Sequence, residues 1–163
     1  MKSTFSRPIL KLLFMAYVMG LLYLLFVYDR SLDLSWIVKG GYPRLLEVMR
    51  YRYNLIPLNT ILSKLAQMSM ANGVETILKD IVGHVLAFSW LGYFMPRIWI
   101  KYQNPIQYII TVLLILTSIE VIQFFTRSGM CDIDDLILNF SAALLGFIYL
   151  RHIHSEEEEI PYV

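Results

Sequence analysis

The sequence predicts an all-α integral membrane protein: a four-helix bundle with a long, partly helical extracytoplasmic loop between spans one and two. Three observations carry this. Hydrophobic residues make up 57% of the chain and charged residues 17%, against roughly 45–50% and about 25% in soluble domains. Mean hydropathy is +0.56. Four apolar runs approach the roughly 20 residues that a helix needs to cross hydrocarbon. At 163 residues the chain is one domain, taken as 1–155, followed by an acidic tail at 156–163.

The first run is preceded by Lys2, Arg7 and Lys11, which resembles the start of a secretory signal. It ends in Val27-Tyr28-Asp29-Arg30 with no small-x-small cleavage site, so it reads as an uncleaved span from about Ile9 to Tyr28. Residues 29–79 have ordinary polarity and carry the breakers Gly40, Gly41, Pro43 and Pro57. Leu45 to Tyr53 suits an interfacial amphipathic segment. A short helix is expected from about Ile61 to near Asn72-Gly73. Span two runs from about Ile77 to Met95, with Pro96 as its stop, and carries Asp80 and His84 one turn apart. Span three is Ile106 to about Phe125, and span four about Ile133 to Leu150. Glu156 to Glu159 read as solvated.

Four spans put both termini on one side. Lys2, Arg7, Lys11, Arg97, Lys101 and Arg151 share that side, against Arg30, Lys79 and Arg127 opposite. The positive-inside rule then puts the termini in the cytoplasm. The same count makes three places level with one another, whichever way the chain is oriented. They are the start of span two (Asp80, His84), the end of span three (Glu120, Gln123, Arg127) and the start of span four (Asp134, Asp135, Asn139).

Within Thr117 to Asn139, Glu120, Gln123 and Arg127 recur on one helix face, and Asp132, Asp135 and Asn139 on the next. Glu120 lies about five residues inside its span, roughly 7–8 Å deep. A charge at the bilayer centre costs on the order of 2.5–3.5 kcal/mol, less near an edge. Glu120 must therefore be neutralised, paired or wet. Arg127 is a candidate partner for it or for Asp134 or Asp135, and His84 a candidate for sharing its proton. Acids outnumber bases here, with Lys79, Arg127 and His84 as the basic groups, which raises carboxylate pKa values or attracts a cation. Asn139, Ala142, Ala143 and Gly146, and on span two Gly83 and Ala87, make small-residue faces whose expected role is close helix packing.

These residues together resemble the VanZ-like family of small bacterial membrane proteins, over about Asn54 to Gly146. The elements are Asn54-Leu55-Ile56-Pro57, then Asp80, Gly83, His84 and Leu91-Gly92. The most specific part is Ser118, Glu120, Gln123, Arg127, Asp132, Asp135, Asn139 and Gly146. Many members have Asn at the place of His84, and Pro at that of Ser89 or Trp90. The resemblance implies the bacterial cytoplasmic membrane and an association with tolerance of the lipid-tailed glycopeptide teicoplanin. It implies no particular reaction.

The expected function is recognition of a lipid or lipid-linked headgroup at the outer leaflet. The expected binding residues are Asn54, Pro57, Asp80, His84, Glu120, Gln123, Arg127, Asp132, Asp135 and Asn139. The partners are membrane lipids, a lipid-linked envelope precursor or a lipoglycopeptide antibiotic. The alternative is a hydrolase or transferase acting on a lipid-phosphate, with carboxylates and His84 holding Mg²⁺ or supplying acid and base. No H-E-x-x-H or G-x-S-x-G motif favours it, and the sequence leaves the cofactor open. Blander roles compete at single positions: Asp80 as a charge at a helix start, Asp132 to Asp134 as the N-cap of span four, and mutual pairing that merely fixes helix order. Net charge of +1 with no aromatic-interleaved basic block gives no sign of nucleic acid. The single cysteine, Cys131, rules out an intramolecular disulfide.

Overall fold

Pro8 starts the first long helix, because a first-turn residue needs no intrahelical N–H bond. This helix, α1, spans Arg7–Phe26. The computed structural model describes residues 6–28, 53–66, 73–126 and 128–158; the expected segment Leu45 to Tyr53 lies outside these except for its last residue. The short strand β1 (Tyr53–Asn54) and helix α2 (Asn59–Ala66) come next. Helix α3 covers Gly73–Ile98, and a 3-10 turn at Ile100–Gln103 leads into α4 (Pro105–Thr126). Strand β2 (Cys131–Asp132) runs directly into α5 (Ile133–Glu158). The described residues are thus all-α apart from one two-residue parallel pairing, Tyr53 with Cys131 and Asn54 with Asp132. Among the described residues four helices are long and apolar enough to cross a membrane: Arg7–Phe26, Ile77–Ile98, Pro105–Thr126 and Ile133–Ile153.

Three expected boundaries move. Pro96 does not stop the second span, since α3 continues to Ile98. Near a helix end proline forfeits a single backbone bond, and its fixed φ is already helical. That helix also begins at Gly73, so Asp80 lies two turns inside it and is not a charge at its N-terminus. Helix α5 continues through Glu158, so the acidic run is largely helical. The glutamates extend it because they are good helix formers.

Helices α3 and α5 pack side by side and run parallel: His84 meets Asn139, and two turns on Gly92 meets Ala143 and Phe147. The crossing is reciprocal. A Cβ on Gly92 would lie 2.2 Å from the Ala143 carbonyl oxygen, and one on Gly146 would lie 1.9 Å from that of Ser89. The small face on α5 behaves as expected, with Ala142 and Ala143 buried. On α3 the close approach belongs to Gly92 and not to Gly83, whose added Cβ would meet nothing within 4 Å.

Helix α4 closes the other side. Tyr108 stacks on Phe147 at 4.4 Å and donates its hydroxyl to the Ala143 carbonyl at 2.9 Å. Val112, Leu116 and Ile119 continue that face into a core with Phe88, Leu91 and Met95 of α3. Helix α1 joins through Leu21 and through Tyr17, whose hydroxyl donates to the Ala87 carbonyl at 2.7 Å. Outward faces stay greasy: Leu12, Met19, Leu86, Leu114 and Leu145 are all exposed. That inversion is what a bilayer, rather than water, accommodates.

Candidate functional site

The polar layer is organised by the start of α5. Asp132 caps that helix, its Oδ1 accepting the Asp134 backbone N–H at 2.9 Å. The same carboxylate also takes Asn54 Nδ2 at 3.1 Å and the Thr60 hydroxyl at 2.6 Å. Its own backbone N–H donates to Glu120 at 3.3 Å. Asn54 Oδ1 closes an Asx turn, accepting the Ile56 N–H at 3.3 Å and Asn59 Nδ2 at 3.3 Å.

Asp134 is fully buried, 0% exposed, and reaches across to the start of α2. Its Oδ1 accepts the Leu58 N–H at 2.5 Å. Its Oδ2 accepts those of Thr60 at 2.8 Å and Ile61 at 3.1 Å. A carboxylate from a distant element thereby satisfies the first-turn donors that a helix leaves orphaned. It also holds a strained residue: Leu58 has φ of 67°, in a turn closed by Asn59 N–H to the Ile56 carbonyl at 3.3 Å. Proline then glycine is the usual pair inside such a turn; here it is Pro57 then Leu58.

Asn54, Glu120, Asp132 and Asp134 are all buried, so this inner half of the layer is a frame. The outer half is more open. Lys64 of α2 pairs with Asp80 of α3. His84 lies between two carboxylates, its Nε2 3.7 Å from Asp80 and 3.7 Å from Asp135. Its Nδ1 is 2.5 Å from Asn139 Oδ1. An amide oxygen only accepts, so Nδ1 carries the hydrogen at this contact and Nε2 faces the carboxylates. The side chains of Lys64, Asp80 and Asp135 are 35%, 33% and 32% exposed. A ligand can therefore reach them, whereas it cannot reach Asp134.

Ten residues were expected in the layer, and their fates differ. Asn54, Asp80, His84, Glu120, Asp132, Asp135 and Asn139 come together. Pro57 is exposed and shapes the turn. Gln123 is buried but turns toward α1, where its amide donates to the Leu25 carbonyl at 3.1 Å and ties down the end of that helix. Arg127 lies outside the described residues. His84 meets Asp80, Asp135 and Asn139. Lys79 is not a counter-ion of the layer, because it pairs outward with Glu75 at 2.6 Å. Thr60 and Lys64 were missed. The signal for Lys64 was the excess of acids over bases: α2 lies on that face, and Lys64 is its only cation.

Cys131, between the last two spans, is flanked by this frame. Partial burial, then the Glu120 and Asp132 carboxylates beside it, pushes its thiol above the usual cysteine range. A thiol so placed is a poor nucleophile. Among the described residues no group of three or more His, Cys, Asp or Glu side chains is arranged to hold a metal ion.

Comparison with known families decides the kinship. A model of the VanZ/LLP1 family matches residues 12–154, which takes in the last three spans, most of the first and every element of the polar layer. The chain belongs to the VanZ/LLP1 family. No curated protein matches it, and no solved structure does. As a VanZ/LLP1 member with four membrane-length helices it is a multi-pass membrane protein. Membership links it to glycopeptide resistance.

Proposed function

We propose that this VanZ/LLP1 member binds a polar headgroup, of a lipid, a lipid-linked envelope precursor or a teicoplanin-type lipoglycopeptide. The binding site is the open half of its polar layer. In this reading the four spans form a bundle in the bacterial cytoplasmic membrane, with both termini in the cytoplasm and the layer at the outer leaflet. One observation carries it. Lys64, Asp80, His84, Asp135 and Asn139 converge from three helices, and the carboxylates and the ammonium of this group stay about one-third exposed when internal pairing alone would favour closure. Lys64 offers a cation to an anionic headgroup. Asp80 and Asp135 offer acceptors to hydroxyl or amine groups. The inner frame, with Asn54, Pro57, Glu120 and Asp132, fixes their positions. Ionisable groups at membrane depth are functional candidates by default.

The test uses Lys64→Gln, His84→Ala and Asp135→Asn, which leave the frame intact. In correctly inserted protein each is expected to lower teicoplanin tolerance severalfold. Wild-type tolerance in all three would remove the proposal.

A second reading, an enzyme acting on a lipid-phosphate, draws on the imidazole held between two carboxylates at 3.7 Å. A nitrogen so oriented can pass a proton. Turnover of lipid-phosphate substrates by purified protein, lost in His84→Ala, would favour it over binding alone.

A further inference from the structure

A second polar feature lies at the opposite end of the molecule. The end of α3, the 3-10 turn and the start of α1 border an open pocket of about 500 Å³, lined by Arg7, Arg97 and Lys101 together with Trp99, Ile100 and Gln103. That volume is within the range of ligand pockets. Three cations line it, and among the described residues no carboxylate does. None of the ion pairs found among the described residues involves Arg7, Arg97 or Lys101.

Arg97 is held in position before any ligand arrives. Its guanidinium lies 4.3 Å from the centre of the Tyr93 ring, and Nη1 donates to the Tyr93 hydroxyl at 2.5 Å. Its Nε is buried and has no hydrogen-bond partner. Buried donors are rarely left so. A guanidinium so fixed can donate a planar fork of N–H groups to two oxygens of a phosphate. Lys101 is steadied 4.6 Å over the Tyr102 ring. Beside the cations, Trp99 is 37% and Ile100 78% exposed, an apolar wall suited to an acyl chain entering next to its headgroup.

We infer that this pocket is a second binding site, taking an anionic phosphate group, whether of a phospholipid headgroup or free in solution. It is independent of the polar layer at the other end. A basic pocket between membrane helices with an apolar rim matches the chemistry of anionic lipids.

The whole chain, residues 1–163, is the form to test. It is equilibrated in detergent with equal amounts of phosphatidylglycerol and phosphatidylcholine, and retained lipid is counted by native mass spectrometry. The wild type is expected to retain phosphatidylglycerol at least about tenfold over phosphatidylcholine, each tenfold being about 1.4 kcal/mol. Arg97→Gln and Lys101→Gln are each expected to reduce that preference severalfold. Arg151→Gln, a cation outside the pocket, should leave it unchanged, and elution on size exclusion as for the wild type shows that the variants fold. A second arm titrates inorganic phosphate without lipid. Saturable binding that Arg97→Gln abolishes, with no lipid preference, keeps the anion site and assigns it to soluble phosphate. A wild type indifferent to both probes, or a preference lost equally in Arg151→Gln, overturns the inference.

Discussion

A carboxylate with no exposed surface survives only if its oxygens are fully engaged. Asp134 meets that condition with three backbone N–H donors, Leu58 just before α2 and Thr60 and Ile61 in its first turn. Hydrogen bonds to a charged group contribute about 1.5–3 kcal/mol each when they are not replaced. An asparagine keeps one acceptor oxygen and presents an amide where the other received a donor. Asp134→Asn is therefore expected to destabilise the protein by about 2–3 kcal/mol, lowering the melting temperature in mild detergent by on the order of 5–10 °C. An unchanged melting curve would show that the cap contributes little. The sequence offered Asp134 as one of three candidate partners for Arg127, which lies outside the described residues; what it did not foresee is that Asp134 accepts from backbone groups more than seventy positions earlier. Periodicity reveals which face a residue occupies and says nothing of a distant loop docking there. Asp132 was legible because an N-cap is a local event.

Cys131 gives a pH-dependent check on the same frame. Its thiol is pushed up by burial and by Glu120 and Asp132, so at a given pH it holds less thiolate than a free cysteine. Maleimide alkylation at neutral pH should run slower than for a small thiol, and its rate should go on rising as pH passes above the ordinary cysteine range. Asp132→Asn removes one of the two negative charges and should shift that rise to lower pH. A Cys131 rate equal to that of glutathione at every pH would contradict the placement of the carboxylates.

At the scale of elements, the helices themselves were readable because apolar length is a property of consecutive residues. The crossing of α3 and α5 was only half readable. Small residues at helical spacing flagged the correct face of α5, but on α3 they pointed to Gly83 and Ala87 and passed over Gly92. Backbone proximity separates them. A methyl group at Gly92 or Gly146 would fall 2.2 or 1.9 Å from a main-chain oxygen of the facing helix, where no rotamer change helps. Either alanine must push the helices apart, at a cost of about 1–3 kcal/mol or more. Gly83→Ala meets open space. Gly92→Ala and Gly146→Ala are expected to lower thermal stability and the yield of monodisperse protein, and Gly83→Ala to leave both as they are. Equal effects at all three positions would place the close contact elsewhere.

For the whole molecule, counting spans foretold that polar residues far apart in sequence would be level. That followed from parity, since alternate ends of successive spans share a face, and it needed no knowledge of packing. What parity cannot supply is which of those residues face one another: Gln123 turned to α1, and Lys64 arrived from a helix that does not span. The same parity makes a claim about the termini. With Arg7, Arg97, Lys101 and Arg151 at the end they occupy and few cations near the spans at the other end, insertion should leave both in the cytoplasm. Fusions of a fluorescent protein to each terminus should fluoresce, and fusions of a periplasm-dependent phosphatase at the same points should be inactive. A phosphatase inserted after Gly129, in the short connection between α4 and β2, should be active. Fluorescence at one terminus with phosphatase activity at the other would mean an odd number of spans. The two ends of α3 would then still lie on opposite faces, but the polar layer would lose the argument that made its three segments level.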